Sequence, residues 1–348
     1  MVQGVAGSSP VFHPIFPDVK APLDFLLGNL SGEKPPLPFE KFMEAALYHP
    51  DFGYYTTEIQ EIGRHGDFST SATLHTILGE SIAQWLQNLP PLPVIEIGAG
   101  NGALAETLLR HHEGPYHIVE TSKPLQSLQQ ERLGNAASWH NTLQTALDAN
   151  QGKAHLVSNE LVDAFPCQLL EFNGQQWQEV ALEIQNENLS ETTIPFNPSS
   201  HLPLPPSPQK SQRIEIHRTY HQWLRTWNPH WQQGHSLTID YGDTLENLYY
   251  RRPGGTLRAY LGQQRITGPK IYHHMGQQDL TADVNFTHLQ LWAQQLGWKT
   301  QPLQTQRQFI QSHLPNLPDD PAAQFLLHPE GAGEAFKVLI CEKEVPRA

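Results

Sequence analysis

The chain has 348 residues, 38% of them hydrophobic, enough to bury one large core with insertions or two smaller ones. Its 22 basic against 35 acidic residues give a formal charge of −13, which argues against wrapping a nucleic-acid backbone and suits a basic protein partner. No apolar run is long enough to span a bilayer, and the segment from Met1 to Pro17 lacks the charged start and apolar core of a signal peptide, so the cytoplasm is the expected compartment.

The stretch up to Pro90 carries amphipathic helical patterns over residues 39–47 and 74–89, separated by a Gly-containing loop. It precedes the first strand of a sheet and is expected to pack over that strand's carboxyl end as a lid. Pro90-Pro91-Leu92-Pro93 marks the junction. Val94-Ile95-Glu96-Ile97 then runs into Gly98-Ala99-Gly100-Asn101-Gly102, and helix-forming residues follow from Ala103 to Arg110, which reads as strand, tight turn, helix. Glycines in such a turn let the backbone bend sharply and let a bulky ligand lie against bare main chain.

The spacing Gly98-x-Gly100-x-x-Ala103 also satisfies the dinucleotide fingerprint, so an NAD-dependent oxidoreductase stays open on the glycines alone. Two features favour a different ligand. Glu96, at the mouth of the strand, would repel a pyrophosphate and welcome an amino group. Gly102 continues the alternation into E-x-G-x-G-x-G, the pattern of class I methyltransferases, whose ligand S-adenosyl-L-methionine carries a cationic sulfur and no phosphate.

Tyr116 to Glu120 is a second short strand ending in a carboxylate suited to ribose hydroxyls. A third strand over residues 137–140 would leave Asn141 near an adenine. A fourth, from Ala154, empties into Asn159-Glu160-Leu161-Val162-Asp163; ligands of open α/β sheets gather beyond strand carboxyl ends, so Asn159, Glu160 and Asp163 should border the reacting groups. Carboxylates there can hold a cationic acceptor and take the proton it loses, although Asn159 or Asp163 could equally cap a helix. Residues 167–172 and 177–184 read as a β-hairpin around Asn173-Gly174. Residues 185–212, with six prolines, read as a linker or mobile insertion, 214–231 as a helix, and 236–240 as a strand ending in Asp240-Tyr241-Gly242. An inserted loop is expected over residues 243–279, a helix over 286–296, and terminal strands over 299–303 and 335–341, the last antiparallel. His217 and His221 share a helical face without an accompanying carboxylate, so no metal site is expected, and Cys167 and Cys341 read as buried thiols.

The chain resembles the MidA family of S-adenosylmethionine-dependent methyltransferases, which includes a mitochondrial assembly factor for respiratory complex I. The resemblance rests on Pro38 to Pro50, Gly53-Tyr54-Tyr55, Gly63 to Ser71, Gly79-Glu80, the glycine motif, Asn159 to Pro166, Asp240-Tyr241-Gly242, Gly255 to Arg258 and Asp279 to Phe286. It implies a class I methyltransferase fold and methylation of an arginine in a core subunit of complex I. It also implies that the loop Gly66-Asp67-Phe68-Ser69-Thr70-Ser71 closes over the methyl donor, giving Asp67, Phe68 and Thr70 contact with it. Where the family shows a Pro-Glu pair after that loop, this chain has Ala72-Thr73.

These readings give an α/β fold of Rossmann-like class I methyltransferase type, with a mostly parallel sheet and an antiparallel terminal strand. Residues 1–90 form a helical lid region, 91–184 the first part of the donor-binding domain, 185–235 a Pro-rich linker with a helical insertion, and 236–348 the remainder. The expected function is transfer of a methyl group from S-adenosyl-L-methionine to an arginine of a protein. A donor-binding assembly scaffold without transfer is the alternative. Glu96, Gly98, Gly100, Gly102, Glu120 and Asn141 are expected to hold the donor, and Glu160, with Asp163 second and Asn159 beside them, the acceptor. A protein substrate is the expected partner, a homodimer is allowed, and nucleic acid is not expected.

Overall fold

A computed structural model of the chain describes residues 20–30, 34–58, 74–185, 188–198, 202–262 and 264–344. In chain order its strands are β1 (Leu37–Pro38), β2 (Val94–Ile97), β3 (Tyr116–Val119), β4 (Ser138–His140), β5 (His155–Asn159), β6 (Gln168–Phe172), β7 (Trp177–Gln185), β8 (Asn188–Pro195) and β9 (Arg213–Ile216). They continue with β10 (Gly234–Asp243), β11 (Arg258–Leu261), β12 (Gln264–Ile266), β13 (Asp279–Thr281), β14 (Val284–Asn285), β15 (Lys299–Thr300), β16 (Gln304–Thr305) and β17 (Phe336–Lys343).

The central sheet has the order β15-β17-β10-β5-β2-β3-β4. From β4 to β10 every pairing is parallel, and β17 closes the sheet antiparallel to β10, from Gly234 opposite Lys343 to Tyr241 opposite Phe336. Alternate residues of each strand serve opposite faces, which explains the near-continuous apolar runs. Val94, Val157 and Ile239 pack with Ile82, Leu104 and Phe309, whereas Ile95, Leu156 and Leu339 pack with Leu147, Trp231 and Trp292. The chain leaves β2 on one side through β3 and β4 and returns on its other side through β5. Strand order therefore reverses at β2, where an open α/β sheet forms its ligand crevice.

Several elements depart from the sequence-based boundaries. The helix Ile77–Gln87, expected in the lid, covers the central sheet through Ile77, Leu78, Ile82 and Leu86. The helix Phe39–Tyr48 does not lie simply over β2; Phe39, Phe42 and Met43 bury against Leu169, Leu182 and Leu280 of a second sheet and of β13. That second sheet, β1-β7-β6-β9 with β8 also on β7, is antiparallel throughout.

Part of the expected 185–212 linker is thus β8, paired with β7 from Gln178 opposite Pro195 to Gln185 opposite Asn188. Arg213 clamps it, its guanidinium 2.5 Å from Glu191 and 2.7 Å from Glu171. The expected helix over 214–231 begins only at Arg218, because Ile214 and Ile216 bury on one face of β9. On the other, the fully buried Glu215 carboxylate accepts from the amides of Thr256 (2.7 Å) and Leu257 (3.1 Å). The expected loop over 243–279 contains the helix Leu245–Arg251 and joins β11 and β12 with β13 in a small antiparallel sheet. No helix of the described residues is long and apolar enough to cross a membrane.

Candidate active site

A cavity of about 530 Å³ opens beyond the carboxyl ends of β2, β3, β4 and β5. One wall is the turn after β2, where Gly98, Gly100 and Gly102 all take positive φ, at 68°, 55° and 80°; Gly98 and Gly100 line the cavity, whereas Gly102, expected to hold the donor, does not line it and faces Gln129, Arg132 and Leu133. L-residues avoid this region because Cβ meets the carbonyl oxygen, so the alternating glycines are a steric requirement of the turn. A Cβ on Gly98 would also stand 2.9 Å from Leu161 Cδ1. The Gly98 amide donates to Val119 O at 3.0 Å, tying the turn to the end of β3.

Glu120 follows β3 and is buried; its Oε1 accepts from the Ser122 amide (2.9 Å) and its Oε2 from Gln129 Nε2 (3.0 Å). Burial raises its pKa against these hydrogen bonds. Gln129 Nε2 also donates to Gly100 O at 2.9 Å, and its Oε1 accepts from Trp139 Nε1 at 3.1 Å, so one amide fixes the carboxylate relative to the glycine turn. Nothing in the sequence marks Gln129, which lies on a helix nine residues beyond Glu120. Asn141, after β4, reaches the same cavity. Glu96 lines it as well, but its carboxyl turns towards Tyr116, whose hydroxyl donates at 2.6 Å. Burial pushes Glu96 up to about 7, the Tyr116 hydrogen bond opposes this, and the Glu120 charge adds to it.

On the other side, Asn159 ends β5 and Glu160 follows in a left-handed conformation at φ 52°. Asn159 Nδ2 donates to Glu160 Oε1 at 3.1 Å, while Asn159 Oδ1 is buried without a hydrogen-bond partner among the described residues. Asp163 does not join them. It is buried, absent from the cavity wall, and its backbone is engaged on both sides, donating to Asp240 and accepting from the Ala282 amide. The turn at Glu160 carries the following residues inward, where burial and the neighbouring Asp240 raise the Asp163 pKa. Aromatic residues complete this side: Tyr48 and Tyr55 stack at 5.6 Å and 17°, and Phe165 meets Trp223 at 5.5 Å. The Tyr48 hydroxyl donates to Ala164 O at 2.9 Å and that of Tyr55 to Asp279 Oδ1 at 3.0 Å, binding the N-terminal segment to the loop after β5 and to β13. Asp67, Phe68 and Thr70 lie outside the described residues.

Among the described residues the cavity wall holds four carboxyl side chains, Glu44, Glu96, Glu120 and Glu160, and no Lys or Arg. The volume falls within the range of small-molecule sites, about 300–1,000 Å³. An acidic, partly aromatic cavity with an unpartnered amide oxygen suits a cationic ligand bearing an ammonium and disfavours a diphosphate. The donor expected from the sequence fits these residues; the dinucleotide does not.

Known proteins agree. A family profile described as "Putative S-adenosyl-L-methionine-dependent methyltransferase" matches residues 77–304. The Drosophila melanogaster protein arginine methyltransferase NDUFAF7 homolog is 26% identical over 298 residues, 72% of this chain and 65% of that protein. Its Danio rerio counterpart is 26% identical over 365 residues, 87% of this chain and 82% of that protein. The chain thus spans just under two thirds of the length of the first curated relatives it matches. In structure it is similar to a candidate methyl transferase from Burkholderia thailandensis bound to S-adenosyl-homocysteine, with a TM-score of 0.80 and 25% identity over 94% of this chain and 92% of that one. With the class I fold, the glycine cradle and S-adenosyl-L-methionine as its cofactor, the chain belongs to this family of S-adenosyl-L-methionine-dependent methyltransferases.

Proposed function

We propose that the chain transfers a methyl group from S-adenosyl-L-methionine to a guanidinium nitrogen of an arginine in a protein, such as the complex I type subunit that the family resemblance implies. The observation that carries this reading is the cavity wall, which among the described residues has four glutamates and no Lys or Arg. The protein arginine methyltransferase names of the relatives support it.

In this reading Gly98 and Gly100 would let the donor lie on bare backbone, Gly102 would hold the turn, Glu120 would take its ribose hydroxyls, Asn141 would border its adenine, and Glu96 would attract its amino group. When bound, the donor supplies a methyl carbon whose bond to sulfur breaks as a nitrogen attacks in line. Alignment of such reactants can remove on the order of 7 kcal/mol or more from a barrier. Glu160 and Asn159 orient the guanidinium, and the rings of Tyr48 and Trp223 flank its aliphatic stem. A guanidinium is too weakly acidic to lose its proton beforehand, so Glu160 accepts that proton as the nitrogen–carbon bond forms.

The test is label transfer from methyl-tritiated donor into cell extract, followed by mass spectrometry of labelled protein. Methylarginine in protein is the expected product. Label confined to small molecules or to other residue types would overturn the acceptor assignment, and turnover surviving in Glu160→Gln would overturn the role of Glu160.

A further inference from the structure

We propose that Asp240 is a positioning residue for the transfer: its carboxylate fixes the backbone path that presents Asn159 and Glu160 to the cavity. This inference rests on the role of Glu160 given above.

Asp240 is fully buried near the end of β10, which runs parallel to β5 with Ile239 opposite Asn159. Its Oδ2 accepts from three successive amides, those of Leu161 (3.2 Å), Val162 (2.8 Å) and Asp163 (3.3 Å). Its Oδ1 accepts from the Tyr241 amide at 2.8 Å. Three consecutive amides converging on one oxygen form a backbone nest around a carboxylate. The nest begins directly after Glu160, whose φ of 52° turns the chain and whose own amide donates to Ile239 O at 2.9 Å. A non-glycine residue persists in this conformation only where its surroundings over-determine it, and β10 does so here at two adjacent residues. Asp240 does not line the cavity, so it acts through the loop. It is no ordinary strand-end carboxylate, because it is fully buried and both its oxygens accept from backbone amides.

The test compares D240N, E160Q and the double variant in the full chain, by calorimetric donor binding and by the initial rate of tritium transfer into extract protein. An asparagine in place of Asp240 keeps one acceptor oxygen and sets an NH2 against either the nest or the Tyr241 amide. D240N should slow transfer about 100-fold with donor affinity within threefold of native, and the double variant should be no slower than the slower single variant. A D240N rate within threefold of native, or losses that multiply in the double variant, would overturn the inference. A native rate in E160Q would instead overturn the Glu160 reading, leaving Asp240 to be judged by amide exchange. There the amides of residues 161–163 should be protected in the native protein and exchange at least tenfold faster in D240N. Rapid exchange in the native protein would sink the proposal even if D240N failed to fold.

Discussion

Replacing Gly98 by alanine isolates the steric demand of the turn that lines the cavity. At φ 68° an L-residue pays roughly 1–2 kcal/mol relative to glycine. The added Cβ would lie 2.9 Å from Leu161 Cδ1, the flexible tip of a half-buried side chain, so rotation of Leu161 relieves most of that contact. The cost can appear in two places. If the turn keeps its path in the free protein, stability falls; with about 2.1 cal/mol/K per residue, a chain of 348 residues shifts by about 1.4 °C per kcal/mol, giving a Tm lower by about 1.4–2.7 °C. If the turn relaxes when empty, the donor must restore it, and Kd weakens by about 5–30-fold, at about 1.4 kcal/mol per decade. Thermal denaturation and titration calorimetry on the same variant read both. A Tm within 1 °C and a Kd within twofold of native would refute the steric account of the glycine turn.

Gln129→Ala removes the amide that joins Glu120 to Gly100 O, and at about 1–2 kcal/mol for a buried hydrogen-bond partner should weaken donor binding about 5–30-fold while leaving the sheet intact by circular dichroism. Glu96, raised from 4.5 to about 7, contributes stability that is complete below about pH 4.5 and lost as pH rises through about 7. Urea denaturation at pH 5 and pH 8 should therefore show native stability falling relative to Glu96→Gln as pH rises; a constant difference would contradict the raised value. Trp231 is fully buried, meets Trp298 edge-on at 5.1 Å and donates to Ala154 O at 3.0 Å, so Trp231→Ala should cost about 3–5 kcal/mol in urea denaturation. Glu120→Ala should abolish saturable donor binding at millimolar donor, and retained micromolar affinity would move the ribose contact elsewhere.

Local sequence determined what short-range chemistry controls. The alternating glycines announce their turn because positive φ at three positions strongly favours glycine, and the apolar runs ending in Glu96, Glu120 and Asn159 announce parallel strands whose carboxyl ends carry polar groups. Those signals sufficed to place Gly98, Glu120, Asn141 and Glu160 on one cavity. Tertiary structure decided the rest, because the deciding contacts join residues far apart in the chain. Asp240 and the loop at 161–163 are nearly 80 positions apart, and no periodicity reports that a strand-end carboxylate will turn inward to amides. The prolines of 185–212 suggested an unpaired segment, yet the pairing edge of β7 and the Arg213 clamp make a strand of Asn188–Pro195. Asp163 looks equivalent to Glu160 in a polar loop; only the left-handed turn at Glu160 sends one carboxylate to the cavity and buries the other.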